Sequence, residues 1–196
     1  MMLSFAIQEA AVSRVPLRRF YNEAMTVPMR SLTMDAAAQD GVLDGMGWTG
    51  RRVLGFKLPP WQRREVWTDA QCASFIESVY LGANIGQFMV NLTMEPEFDR
   101  ILLDGQQRLR AIGRYVAGGF AVPGEDGAAA FWPELASGEQ AHFHRIGFPW
   151  LATAYRDEAT LREAYNRHNF SGTGHLLEEM AEPGDFRPSP PGFHGL

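Results

Sequence analysis

The clearest periodicity lies in the middle of the chain. Cys72, Phe75, Ile76 and Val79 recur at helical intervals, which predicts a helix over 69–81. Thr68 and Gln71 stand at capping-box spacing in front of it, and Gly82 suits its end. Phe88, Val90 and Leu92 then alternate with Met89 and Asn91, the pattern of a half-buried strand. Pro96 marks 94–99 as a turn, and 100–104 returns as a second strand. Gly105 breaks that strand. Leu109, Ile112 and Val116 then share one face of a helix over 106–117, closed by Gly118-Gly119.

The flanks carry weaker signals. Residues 1–56 offer only a short helix over 31–42, followed by the glycine-rich stretch from Gly41 to Gly55. Phe120 to Val122 suits a short strand, and 123–147 reads as loop. Leu161, Ala164 and Tyr165 predict a helix over 157–168, and a short final helix falls over 175–181. The order helix, strand, strand, helix, helix places the chain in the α+β class, a small mixed sheet flanked by helices. It divides into an N-terminal extension with a glycine-rich loop (1–51), a main domain (52–182) and a Pro/Gly-rich tail (183–196).

Composition narrows the setting. A chain of 196 residues, 45% hydrophobic and 21% charged, has the make-up of one globular domain. No apolar run reaches the roughly 18 residues of a membrane span. Met1 to Arg14 lacks the basic start of a signal peptide. The single cysteine, Cys72, excludes a disulfide framework and a cysteine-rich zinc site. A cytoplasmic location with no membrane partner is the expectation. Every basic residue but Lys57 is an arginine, which suits planar recognition of phosphate but also follows from coding bias. The net charge of −5 argues against nucleic-acid binding by bulk electrostatics and leaves room for a local arginine pocket. Leu58 follows Lys57, so no Walker A motif is present.

Three kinds of short pattern carry little weight. Gly45-x-Gly47-x-x-Gly50 has the string of a dinucleotide fingerprint, but it lacks the flanking strand and helix and reads as a loop. His142-x-His144 would share a face on a strand, yet no further ligand stands at metal-site spacing. The strings at Asn91 and Asn169 resemble glycosylation acceptors and lack a secretory context.

Asp104-Gly105-Gln106-Gln107-Arg108 is different in kind. A strand ends in a carboxylate, turns through glycine and enters a helix with two amides and a guanidinium in its first turn. Exposed N–H groups and the helix dipole make such a junction an anion site. Arg108 offers a fork for phosphate, while Asp104 could cap the helix, orient Arg108, or hold a metal or water. The bland alternative makes Asp104 only a cap and leaves Arg108 and Arg110 solvated. Upstream, Pro59-Pro60-Trp61-Gln62-Arg63 forms a stiff approach to Thr68.

Leu58-Pro59-x-Trp61-Gln62-Arg63, Trp67, Ile85-Gly86 and Leu103-Asp104-Gly105-Gln106-Gln107-Arg108-Leu109, in that order, resemble the DUF262 family. That family includes the N-terminal domains of GmrSD-type modification-dependent restriction systems and of SspE-type defence proteins. Tyr165-x-Arg167-x-Asn169, then Gly172 and Glu179, extend the likeness, which covers about residues 52–181. Trp61 departs from the family's usual tyrosine. The resemblance implies a ParB/sulfiredoxin-like fold whose Asp-Gly-x-x-Arg turn binds nucleotide phosphate. Carried over by position, Gln62, Arg63, Gly105, Gln106, Arg108 and Asn169 would bind an NTP. Asp104, Gln107 and Arg108 would act in its hydrolysis, with Mg²⁺ or the attacking water at Asp104. The implied setting is DNA restriction, defence or counter-defence. No His-Asn-His nuclease motif accompanies the site, so DNA cleavage would fall to this domain or to a separate nuclease. Two alternatives stand beside this reading. One is a non-catalytic DNA-binding module with Arg110 and Arg114 extending its surface. The other is a phage or mobile-element inhibitor that contacts a host protein.

Overall fold

A computed structural model describes residues 18–34, 36–62, 64–125 and 127–170. Arg63, the helix expected over 175–181, the tail, Met1 to Arg14 and the Asn169 side chain lie outside the described residues. Among the described residues, eight strands and six α-helices make the domain α+β. The strands are β1 (Glu23–Pro28), β2 (Arg52–Val53), β3 (Phe56–Lys57), β4 (Phe88–Asn91), β5 (Ile101–Asp104), β6 (Ala121–Pro123), β7 (Ala129–Phe131) and β8 (Gly147–Thr153). The helices are α1 (Met29–Thr33), α2 (Ala36–Gly45), α3 (Asp69–Tyr80), α4 (Gln106–Val116), α5 (Ser137–Arg145) and α6 (Glu158–Phe170).

Six strands form a mixed sheet in the order β1-β8-β4-β5-β3-β2, and β6 pairs with β7 apart from it. β4 runs antiparallel to β5 and parallel to β8, so both of these strands sit inside the sheet. Helices cover both of its faces. Phe88, Val90 and Leu102 pack with Phe75, Ile76, Leu109 and Ile112 of α3 and α4. Met89, Ile101, Leu103 and Leu151 pack with Leu161 and Tyr165 of α6. All four residues of β4 are therefore buried, and the expected half-buried strand is corrected to one covered on both sides.

The strong periodicities give the elements they predict. Thr68 accepts from the Gln71 N–H while Gln71 accepts from the Thr68 N–H, which closes the capping box of α3. Among the weaker signals, the short strand and the helix over 157–168 appear as β6 and α6, while others require correction. The single helix expected over 31–42 is two, α1 and α2, and the start of the chain also holds β1. The glycine-rich stretch is partly helix and partly a β2–β3 hairpin turning at Leu54 and Gly55, both with positive φ. The expected loop over 123–147 holds β7, a 3-10 turn and α5. His142 and His144 therefore lie on a helix, where an i,i+2 pair does not share a face. His142 stacks on Tyr80 and His144 packs against Trp132. No cluster of metal ligands occurs among the described residues. No described helix is long and apolar enough to cross a membrane.

Candidate nucleotide site

The C-terminal end of β5 is where the chemistry collects. Gly105 turns the chain from β5 into α4 at φ +95°, a left-handed conformation that glycine adopts without a steric penalty. A Cβ there would lie 2.4 Å from the Phe88 Cβ, so the neighbouring strand also demands a bare backbone. Asp104 is the last residue of β5 and not a cap. The N-cap is Gly105, and no side chain caps α4. This corrects the capping alternative for Asp104.

Asp104 Oδ2 instead accepts from Arg108 Nη2 at 2.6 Å, and His168 Nε2 stands 3.4 Å from the same oxygen. Arg108 Nη2 also donates to the Gln87 carbonyl at 2.6 Å, which fixes the guanidinium against the start of β4. Burial pushes the Asp104 carboxyl up. The His168 hydrogen bond, the Arg108 charge and the Gly105 N–H outweigh it and hold the carboxyl below its ordinary range. Asp104 is thus an anion at neutral pH.

Gln107 faces the other way along the cleft. Its Oε1 accepts from the Val66 and Trp67 N–H groups at 3.3 and 3.4 Å, and its Nε2 donates to the Arg64 carbonyl at 3.1 Å. The amide therefore anchors the segment that leads into α3. It brings Gln62 and Trp67 alongside Asp104, Gly105, Gln106, Arg108 and Tyr165, which together line one cleft. Trp61 packs on Tyr165 of α6, with ring centroids 4.7 Å apart. Residues separated by more than forty positions in sequence thus meet at one site.

The polar groups of this cleft are unusually short of partners. Buried polar groups are nearly always hydrogen-bonded within a folded protein. Seven buried side-chain atoms among the described residues lack a protein partner, and four of them belong to Gln62, Gln106 and Arg108. Gln62 Oε1, both ends of the Gln106 amide and Arg108 Nε are these four. Gln62 is 5% exposed and Gln106 4%.

The structure brings together Gln62, Asp104, Gly105, Gln106, Gln107 and Arg108 from the expected set. It adds Trp67 and Tyr165, which belong to the motifs but were not assigned to the site, and sets His168 beside Asp104. The signal for His168 was available. It lies three residues after Tyr165, on the same side of a helix whose apolar face the sequence already marks. Arg110 and Arg114 point to Glu65 and Asp69, at 2.7 and 2.8 Å, and so are paired.

Residues 48–183 match the model of the GmrSD restriction endonuclease N-terminal domain. The chain belongs to this family of restriction-associated domains. The match spans the whole cleft, from Gln62 to Tyr165. No curated protein and no solved structure matches the chain.

Proposed function

We propose that this domain binds a nucleoside triphosphate in the β5–α4 cleft and hydrolyses it, within a DNA restriction or counter-restriction system. The observation that carries the reading is the concentration of unpartnered, buried polar groups at a glycine turn opening a helix. Arg108 Nε is a donor suited to a phosphate oxygen, reinforced by the N-terminal N–H groups of α4. Asp104 holds Arg108 through Nη2 and leaves Nε without a protein partner, so the ligand's phosphates belong at Arg108 Nε and the start of α4.

The low carboxyl pKa bears on roles. A general base works best with a pKa near the working pH, which makes Asp104 a poor one. The base in this scheme is His168, whose Nε2 stands 3.4 Å from Asp104 Oδ2. In this scheme a water oxygen bonds to the γ-phosphorus, the bond from that phosphorus to the β–γ bridging oxygen breaks, and the water's proton passes to the imidazole. Arg108 neutralises charge on the phosphates as it develops. Gln107 acts as a positioning residue through residues 64–67.

A magnesium ion fits poorly as a protein-held group. The cleft offers one carboxylate, already shared by Arg108, His168 and the Gly105 N–H. Mg²⁺ would enter with the triphosphate, and no step is assigned to it. The DNA-binding alternative gains nothing from Arg110 and Arg114, since both are ion-paired.

Phosphate release from ATP, GTP, CTP and UTP with Mg²⁺ tests the reading, with Arg108→Ala as the control. Release that stops in the variant supports it. The absence of both binding and release in the wild type, beside salt-sensitive DNA binding, would replace it with the DNA-binding module.

A further inference from the structure

The unpartnered groups of the cleft are of two chemical kinds, and the difference assigns the two ends of the ligand. Arg108 Nε is a donor. Gln62 Oε1 and Gln106 Oε1 are acceptors, with Gln106 Nε2 the one donor beside them. At neutral pH the phosphate oxygens of a nucleotide carry no protons to give. Two buried carbonyl oxygens therefore cannot be satisfied by phosphate, and the nearby Asp104 anion adds to the mismatch. The part of the ligand facing Gln62 and Gln106 must carry its own N–H or O–H donors.

We propose that Gln62 and Gln106 bind the hydrogen-bonding edge of the nucleobase and set which base the cleft prefers. This assignment rests on the nucleotide reading above and departs from the expectation that both glutamines hold phosphate. The Watson–Crick edge of every base sets donors beside acceptors at amide spacing, and a glutamine amide can pair with such an edge through two bonds. The partly exposed indole of Trp67 lines the same cleft and offers a planar face for a base, while the buried ring of Tyr165, packed on Trp61, closes the wall behind it. A ribose hydroxyl could also donate to these oxygens, but it gains nothing from the indole face and would leave the four bases indistinguishable. Both glutamines are more than nine-tenths buried, so a base that mismatches them leaves a buried group unpaired.

The test is calorimetric titration of the full chain with the four nucleoside triphosphates, with deoxyribose forms and with inorganic tripolyphosphate. Wild type, Gln106→Met, Gln62→Met and Arg108→Ala are compared, with thermal melts as the folding control. Wild type should separate its best and worst bases by tenfold or more. Each methionine variant should lose at least tenfold for the best nucleotide, flatten the base preference and keep its affinity for tripolyphosphate. Arg108→Ala should weaken nucleotide and tripolyphosphate alike. Equal loss of tripolyphosphate in the glutamine variants would overturn the proposal, because the amides would then serve phosphate. So would a wild type that ranks ribose over deoxyribose yet treats the four bases equally. Binding of tripolyphosphate with no gain from any base defeats this inference alone, whereas binding of none of these ligands defeats the nucleotide reading with it. Should one methionine variant unfold, the other glutamine position and the wild-type base ranking still decide.

Discussion

His168 places Nε2 3.4 Å from Oδ2 of Asp104, joining the last turns of α6 to the end of β5. The same oxygen receives Arg108 at 2.6 Å, so one carboxylate ties together the helices on opposite faces of the sheet. This linkage makes Asp104 a structural anion as well as a member of the site.

Its effect on stability has a defined pH window. The folded-state pKa of Asp104 is lowered, so its ionised form adds stability that is fully present above the ordinary value of 3.8. That contribution is lost as the pH falls through the lowered folded value. Asp104→Asn should therefore melt below wild type at pH 7, by about 1–2 kcal/mol for a weakened charge-assisted bond. The gap should close as wild-type Asp104 becomes protonated. Thermal melts across pH 2–7 check this, and a gap that stays constant over that range would contradict it.

His168→Gln separates the base from the scaffold. Glutamine can still donate toward Asp104, and the position is partly exposed, so the fold should survive. If the imidazole takes the proton of the attacking water, kcat should fall by roughly 10²–10⁴. KM should change little. A variant with wild-type kcat would remove His168 from the catalytic role and leave it as a tether for Asp104.

How much of this could be read in advance varies by element. The helices α3, α4 and α6 and the strands β4 and β5 were legible because each carries strong spacing, a cap or a breaking glycine. β8 was not. It lies between β1 and β4, contains Pro149, and mixes apolar residues without alternation. Nothing local marks such a strand, because its place is set by partners far along the chain. α5 buries only Phe143 and so has no apolar stripe to find. At the site, Asp104 and Gly105 were legible as a strand–turn–helix junction. The commitment of Gln107 to residues 64–67 was not, since it depends on a loop forty positions away.

Gln107 offers a direct contrast between anchoring and chemistry. Gln107→Leu fills similar space but leaves the Val66 and Trp67 N–H groups and the Arg64 carbonyl without their partner. Unpaired groups of this kind cost about 1–3 kcal/mol where they stay buried. Urea unfolding should show a loss in that range. Activity should fall through KM, because Gln62 and Trp67 are displaced from the cleft. Full stability with a selective loss of kcat would return Gln107 to a role in orienting water.

Asn91 tests the frame that holds the site in place. It is fully buried at the end of β4, and its amide is completely used. Nδ2 donates to the carbonyls of Phe98 and Tyr155 at 2.8 and 2.9 Å. Oδ1 accepts from Thr153 Oγ1 at 2.8 Å and from the Tyr155 N–H at 2.7 Å. One side chain thus joins β4, the end of β8, the turn before β5 and the approach to α6. Asn91→Leu has nearly the right volume but strands these partners in the interior. Their desolvation penalties are about 1–3 kcal/mol each, partly relieved by rearrangement, so a net loss of roughly 3 kcal/mol or more is expected. Asn91→Asp should be nearly as damaging at pH 7. It removes both donors and sets a negative charge beside two carbonyl oxygens. Acidification should rescue the aspartate in part, since the protonated carboxyl regains one donor, and it should not rescue the leucine. Denaturant unfolding of the two variants at pH 7 and pH 4 provides the measurement. Parallel behaviour of both variants with pH would mean that lost packing, and not the four hydrogen bonds, sets the cost.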